Sequence, residues 1–204
     1  FVMVNELDNI IDIGCGQGYF LENLMVNKKK YFGIDLSVEQ IKVCQAKNLN
    51  AKAIALKDVT EKFDCATAIF DVLNYIPKED LKSFITQVNI VLNQGAYFIF
   101  DVNSLFGFEE VAQGCITIDL EDKFISIDAN FENNKLQTDI TLFTKENGGL
   151  FSKESDSIIQ EYHTKEFLRK LLKECNFEIQ EIKKFNLHTD EHADKLIFIC
   201  KKIA

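Results

Sequence analysis

The sequence lacks any long uninterrupted run of apolar residues. Within its 204 residues, no hydrophobic segment approaches the roughly 18 apolar residues that a bilayer-spanning helix needs. The amino terminus also lacks a basic segment followed by an apolar one, which is the pattern of a secretory signal. We therefore expect a cytoplasmic protein that does not enter a membrane.

Paired cysteines and linker segments are missing as well. The six cysteines never form a Cys-x-x-Cys pair, so the sequence predicts neither a zinc site nor a disulfide framework. We expect no metal ion. Pro77 is the only proline, and no tract rich in Pro, Gly or Ser divides the chain. We therefore expect one domain over residues 1–204, with a single substantial core.

Positive charge is scarce relative to negative charge. The chain has 23 Lys and Arg against 32 Asp and Glu, which gives a formal net charge of −9. An acidic surface repels a phosphate backbone at long range, and the lysines at 28–30 are typical of a solvated loop. We expect no nucleic acid partner, while a monomer and a homodimer both stay open.

Short apolar runs alternate with segments of helical periodicity through the first half of the chain. Parallel strands require crossover helices, so this alternation predicts an α/β fold with a mainly parallel sheet. Strands are predicted at 9–14, 31–35, 51–55, 65–70 and 96–102, with helices at 17–26, 37–47 and from Pro77 to Gly95. A further helix at 164–175 precedes two strands, 177–183 and 195–201, that we expect to form an antiparallel edge.

The apolar period changes to two from about Cys115 onward. Apolar and polar residues alternate over 125–131 and again over 136–142, on either side of a polar turn. This pattern predicts an antiparallel hairpin or meander. We expect it to be an insertion on the substrate side of the sheet, at about 105–161.

A glycine-rich turn follows the first predicted strand and opens the first predicted helix. Gly14, Gly16 and Gly18 allow positive φ and let a ligand approach the backbone amides. Asp35 closes the second strand, 21 residues after Gly14, where a carboxylate can accept both hydroxyls of a ribose. Together these residues predict a nucleoside or nucleotide site.

The glycine spacing bears on which nucleotide binds. Dinucleotide sites usually show Gly-x-Gly-x-x-Gly, and Tyr19 stands where their third glycine would be. The observed Gly-x-Gly-x-Gly favours S-adenosylmethionine (SAM). Asp12 on the preceding strand also suits the ammonium group of a cationic ligand better than a pyrophosphate. A NAD(P)-dependent oxidoreductase is the less favoured alternative.

From about Asn9 to its carboxyl terminus, the sequence resembles class I SAM-dependent methyltransferases. The segment 70–76 (FDVLNYI) resembles the Asp-x-Leu-Asn-Tyr signature that follows strand four in one bacterial branch of that family. Segments 100–104 and 161–164 resemble the same branch. The resemblance implies a Rossmann-like sheet, SAM as cofactor, and methyl transfer to a small-molecule acceptor.

The resemblance also implies roles for individual residues. In the family the glycine loop faces the methionine part of SAM, an acid after strand two binds the ribose, and an acid after strand three lies near adenine. The expected cofactor-binding residues are Asp12, Gly14, Cys15, Gly16, Gly18, Asp35, Leu36, Asp58, Val59 and Asp71. The expected catalytic residues are Asp71, Tyr75, Asp101 and His163.

Two further expectations concern how complete the enzyme is. The same motifs would also occur in a catalytically silent module that binds SAM or a partner without transferring a methyl group. The resembling branch commonly carries a helix over SAM before its first strand, and this chain starts without that segment. The resemblance therefore predicts a site that lacks this cover.

Overall fold

The computed structural model describes residues 2, 5, 7–186 and 192–203. Its strands and helices alternate through the first 103 residues, as the apolar pattern predicts. The strands are β1 (Asn9–Ile13), β2 (Lys30–Asp35), β3 (Ala51–Ala53), β4 (Phe63–Ala68), β5 (Leu92–Asn103), β6 (Gly114–Asp119), β7 (Lys123–Glu132), β8 (Lys135–Lys145), β9 (Phe151–Glu161), β10 (Phe177–Phe185) and β11 (Lys195–Lys202). The helices are α1 (Tyr19–Val26), α2 (Val38–Ala46), α3 (Leu81–Val91) and α4 (Lys165–Glu174).

Seven strands form one mixed sheet in the order β10-β11-β5-β4-β1-β2-β3. The five strands from β5 to β3 are parallel, whereas β11 is antiparallel to both β5 and β10. The predicted α/β class, parallel sheet and antiparallel edge are confirmed. Because the five parallel strands end at the same edge, the loops that follow them meet there.

The helices cover both faces of this sheet. Neighbouring residues of β1 point to opposite faces: Ile10 packs with α1 and α2, while Ile11 packs with α3 and α4. Within the described ranges, no helix is long and apolar enough to cross a membrane. The two buried layers fix the sheet, and therefore the positions of the loops at its carboxyl edge.

The helix boundaries follow local sequence signals at some ends and tertiary packing at others. The Ser37 hydroxyl accepts a hydrogen bond from the backbone N–H of Gln40 at 3.3 Å, so the predicted cap of α2 is confirmed. The prediction that Gly95 ends α3 is wrong: the helix ends at Val91 and β5 begins at Leu92. Leu92 is buried and pairs with Phe63 of β4, so packing sets this boundary before the glycine.

A second sheet lies between β5 and α4 in the chain. Strands β6 to β9 form an antiparallel meander in sequence order, which confirms the predicted insertion. A short π-helical segment, Gly107–Ala112, leads into it. Phe108 of that segment is buried and stacks on Phe131 of β7, with ring centroids 5.1 Å apart. This contact attaches the meander to the end of β5.

We expect Leu172→Ala to lower the free energy of unfolding by about 2–5 kcal/mol. Leu172 of α4 is fully buried in the larger core, so its loss removes apolar contacts and leaves a cavity. The same substitution at Leu150, which is 72% exposed, should cost no more than about 0.5 kcal/mol. Urea denaturation of the two variants measures the difference, and equal losses would contradict this assignment of the core.

Candidate functional site

A groove runs along the carboxyl edge of the parallel strands. It consists of two adjoining pockets of about 560 Å³ and about 430 Å³. Gly14, Asp35, Phe70 and Tyr75 line both pockets, so these four residues mark their junction. The groove lies where open α/β sheets bind their ligands.

The glycine turn after β1 forms one wall of the junction. Gly14 has φ of +72°, and a Cβ atom there would lie 2.8 Å from Val72 Cγ2, so both backbone and packing select glycine. At Gly16 a Cβ would meet open space, and the φ of +52° is the reason for glycine. The loop therefore exposes backbone rather than side chain to the groove.

The carboxylate of Asp35 joins the glycine turn to the start of α2. One oxygen accepts a hydrogen bond from the Gly16 N–H at 2.9 Å, and the other accepts one from the Ser37 N–H at 2.8 Å. Each carboxylate oxygen can accept further hydrogen bonds. Asp35 thus has a structural role that the sequence did not indicate, while it also lines both pockets.

Asp12 lies beneath the smaller pocket and is almost completely buried. Thr67 of β4 donates a hydrogen bond to its Oδ1 at 2.6 Å. Burial raises the pKa of Asp12 to about 7, against the opposing effect of the Thr67 bond, and the nearby carboxylate of Asp35 adds to the rise. A buried carboxyl group of this kind is stabilised as the anion by a cationic ligand.

The larger pocket is lined mainly by apolar side chains. Ile54, Ala55 and Leu56 line it from the loop after β3, opposite Val72, and the exposed side chain of Leu36 lies at its rim. The sequence pointed instead to Asp58 and Val59, further along the same loop. The structure places Asp58 on the surface and Val59 in the core, because the short helical turn Leu56–Asp58 rotates both away from the groove.

The turn after β4 has an uncommon backbone conformation. Phe70 and Asp71 both have positive φ, at 64° and 68°, which costs a non-glycine residue about 1 kcal/mol or more. The Phe70 N–H donates to Asp101 Oδ1 at 2.7 Å. This conformation leaves the Phe70 ring 71% exposed at the junction of the two pockets.

Asp71 and Asp101 meet an ammonium group behind this turn. Lys195 Nζ contacts Asp71 Oδ1 and lies 2.9 Å from Asp101 Oδ2. Burial lowers the pKa of Lys195, but Asp101 and Asp71 outweigh it and the pKa is raised overall. Burial also raises the pKa of Asp71, although Lys195 opposes that rise. The three groups form a partly buried cluster with one excess negative charge.

Tyr75 is 50% exposed and lines both pockets. Burial of its hydroxyl side and the negative charge of Asp71 raise the pKa of the phenol. The hydroxyl therefore stays protonated at neutral pH and can both donate and accept a hydrogen bond. Of the four residues expected to be catalytic, Tyr75 is the one that lines the groove itself.

Asn74 and His163 support the turn from behind. Asn74 is fully buried; it donates to the Glu161 carbonyl at 2.8 Å and accepts from the Asn103 N–H at 3.0 Å. His163 is buried, and its Nε2 donates to the Leu73 carbonyl at 3.0 Å. Burial lowers the pKa of His163. Its position fits a neutral support for the turn and not the catalytic role that the sequence suggested.

The structure brings most of the predicted cofactor residues to one place. Cys15 also lines the smaller pocket. Gly18 begins α1 beneath the loop, where a Cβ would lie 2.4 Å from Leu49 Cδ1, so it shapes the turn from behind. Sequence reasoning missed Lys195 and Thr67. A signal existed for Lys195, since the first residue of an antiparallel strand lies at the edge where parallel strands end.

The chain is similar in sequence to proteins described as methyltransferases. A family described as a methyltransferase domain matches residues 10–95, which include the glycine turn and the turn after β4. A Bacillus subtilis (strain 168) protein, named a methyltransferase by inference, is 25% identical over 211 residues. That alignment covers 97% of this chain and 85% of the relative.

Solved structures show the same fold. A SAM-dependent methyltransferase from Clostridium acetobutylicum ATCC 824 is 24% identical with a TM-score of 0.82, and the match covers 100% of this chain and 88% of that one. SAM-bound CalS10, an amino pentose methyltransferase from Micromonospora echinaspora, is 14% identical with a TM-score of 0.74; the match covers 97% and 84% of the two chains. The sheet order, the glycine turn facing Asp35 and the family match over residues 10–95 make this chain similar to class I SAM-dependent methyltransferases.

Proposed function

We propose that this protein transfers the methyl group of SAM to a small-molecule acceptor. The observation that carries the proposal is the groove at the carboxyl edge, where an exposed backbone turn, the Asp35 carboxylate and an apolar pocket adjoin. These three features suit the methionine, ribose and adenine parts of one ligand, in that order. Asp12, buried under the methionine end with its pKa raised to about 7, suits the ammonium group.

The residues that would hold SAM fall into three groups. Asp12 and the backbone of Gly14 and Gly16 would face the methionine part, Asp35 the ribose, and the apolar wall around Leu56 the adenine ring. When bound, SAM supplies a methyl group activated by a sulfonium. The described residues lining the two pockets include Asp12, Asp35 and Asp80 as their charged members, and this negative lining favours a cationic ligand.

The protein's contribution to such a transfer is mainly alignment and exclusion of water. Holding two reactants in line can lower a barrier by about 7 kcal/mol or more, and it requires no nucleophilic side chain. Phe70 and Tyr75 stand at the junction of the pockets, where they would cover the reacting centre. We assign Tyr75 and Asp71 to the acceptor side: the protonated Tyr75 hydroxyl would form a hydrogen bond with the acceptor, and the Asp71 carboxylate is the group able to accept a proton from it.

Transfer of labelled methyl groups tests the function directly. The protein is incubated with SAM carrying a radioactive methyl group and a small-molecule extract, and we expect label in a product that depends on the protein. A catalytically silent module would bind S-adenosylhomocysteine in calorimetry but leave the label in SAM. Tighter binding of NADH than of S-adenosylhomocysteine in a thermal-shift assay would contradict the proposal.

We expect Asp35→Ala to weaken S-adenosylhomocysteine binding more than tenfold in calorimetry. The ribose would lose two hydrogen bonds to a charged group, each contributing about 1.5 kcal/mol or more, and the Gly16 N–H would lose its acceptor. Asp58→Ala is the matched control, since Asp58 is exposed and should leave affinity unchanged. An equal effect at both positions would remove Asp35 from the ribose site.

We expect the affinity for S-adenosylhomocysteine to rise with pH and to level off above about pH 7. Asp12 has a pKa of about 7 in the free protein, and its ionised form attracts the ligand's ammonium group. Between pH 6 and pH 8 the gain should be about tenfold, because the ionised fraction changes by that factor. Calorimetry at a series of pH values measures it; Asp12→Asn should bind weakly and lack the rise. A rise of the same size in that variant would assign the effect to another group.

A further inference from the structure

We propose that Lys195 is a positioning residue for the groove. Its ammonium group holds the carboxylates of Asp71 and Asp101 together and so fixes the left-handed turn at Phe70 and Asp71. The inference rests on the proposed function, because it concerns the site assigned to SAM. Lys195 lies on β11, the last strand in chain order, and outside the glycine and aspartate motifs.

The direction of β11 explains how this lysine reaches the site. The strand is antiparallel to β5, with Lys195 opposite Asn103. Its first residue therefore lies at the edge where the parallel strands end, and its last residue, Lys202, lies at the other edge. Lys195 shares a face with Asp101, because the register sets Ile197 opposite Asp101 and side chains alternate along a strand.

The contacts of Lys195 connect two separate chain segments. One carboxylate belongs to the turn after β4 and the other to β5. Asp101 in turn accepts from the Phe70 N–H at 2.7 Å through its other oxygen. A chain of polar contacts thus runs from Lys195 through Asp101 to Phe70, and directly from Lys195 to Asp71. These contacts hold both Phe70 and Asp71, the two residues with positive φ.

The charges in this cluster determine what removal of Lys195 would do. Its side chain is 14% exposed, and those of Asp71 and Asp101 are 20% and 10% exposed. Two carboxylates left this close in a poorly solvated place repel each other. Because Phe70 and Asp71 already have an unfavourable backbone conformation, the turn would relax. Phe70 and Tyr75 would then leave the junction of the pockets.

Two further titratable residues, Tyr75 and Asp194, lie close to the cluster of Lys195, Asp71 and Asp101. Tyr75 faces Asp71 and Lys195 from the turn after β4. Asp194, the residue before Lys195, is buried, and its backbone oxygen accepts from the Ser104 N–H at 2.8 Å. The group that titrates first when Lys195 is removed is expected to be Asp71, whose pKa burial already raises.

The test compares S-adenosylhomocysteine affinity in Lys195→Met and wild type by calorimetry at pH 6 and pH 8. We expect the dissociation constant of the variant to exceed that of wild type by about tenfold at pH 8. At pH 6 the ratio should be clearly smaller, because protonation of Asp71 removes the repulsion. Because Asp12 is present in both proteins, its titration changes both dissociation constants equally and does not affect their ratio. A ratio near one at both pH values would overturn the proposal.

A second variant separates positioning from direct contact with the ligand. In Asp71→Asn/Lys195→Met the repulsion is absent, so its affinity should lie within about threefold of Asp71→Asn alone. This comparison also serves if Lys195→Met alone does not fold. A double variant that binds at least tenfold more weakly than Asp71→Asn would show that Lys195 acts by another route, and would overturn the proposal.

Lys202→Met is the matched control on the same strand. Lys202 donates to the carbonyls of Asn89 and Leu92 at 2.7 Å and 3.0 Å, at the edge opposite the groove. We expect Lys202→Met to lower the melting temperature without changing the dissociation constant of S-adenosylhomocysteine.

Failure of the proposed function and failure of this inference give different results. If wild type itself does not bind S-adenosylhomocysteine, the proposed function fails. If wild type binds and Lys195→Met binds equally well, only the role of Lys195 fails.

Discussion

The carboxylate of Asp35 is the contact on which the groove depends. Its two oxygens accept backbone hydrogen bonds from Gly16 and Ser37, so one side chain fixes both the glycine turn and the start of α2. Without this carboxylate, both backbone N–H groups would lose their acceptor within the protein. The same carboxylate lies at the junction of the two pockets. The structure of the edge and the proposed ligand binding therefore depend on the same residue, and a substitution there is expected to affect both.

Charge at this edge is arranged in two layers. Asp12 and Asp35 line the groove, and Asp71 and Asp101 lie behind it with Lys195. The pair at the groove makes its lining negative, whereas Lys195 compensates one of the two charges of the inner pair and connects it to the turn after β4. The four aspartates therefore have two different roles: Asp12 and Asp35 line the groove, and Asp71 and Asp101 bind Lys195 behind it. This arrangement also explains why the turn after β4 can keep two non-glycine residues at positive φ.

The antiparallel meander adds a second, more exposed sheet beside this edge. Its contacts with the rest of the protein include Phe108, which packs on Phe131, and Glu161, whose carbonyl accepts from Asn74. Asn74 also accepts from the Asn103 N–H. The turn that carries Tyr75 thus connects to both sheets. A change in the meander has a direct structural path to the proposed acceptor side of the groove.

The sequence by itself determined the order of strands and helices, the antiparallel edge, the insertion and the glycine turn facing Asp35. These follow from local pattern: apolar periodicity, a cap at Ser37, and glycines where positive φ is required. Only the tertiary structure decided which polar side chains share the groove. The turn at 56–58 directs Asp58 away from the groove, and His163 and Asp101 are buried behind it. The direction of β11 places Lys195 beside Asp71, which is 124 positions earlier in the chain. Spacing in sequence cannot encode such contacts, because they depend on strand register and on the rotation of each turn.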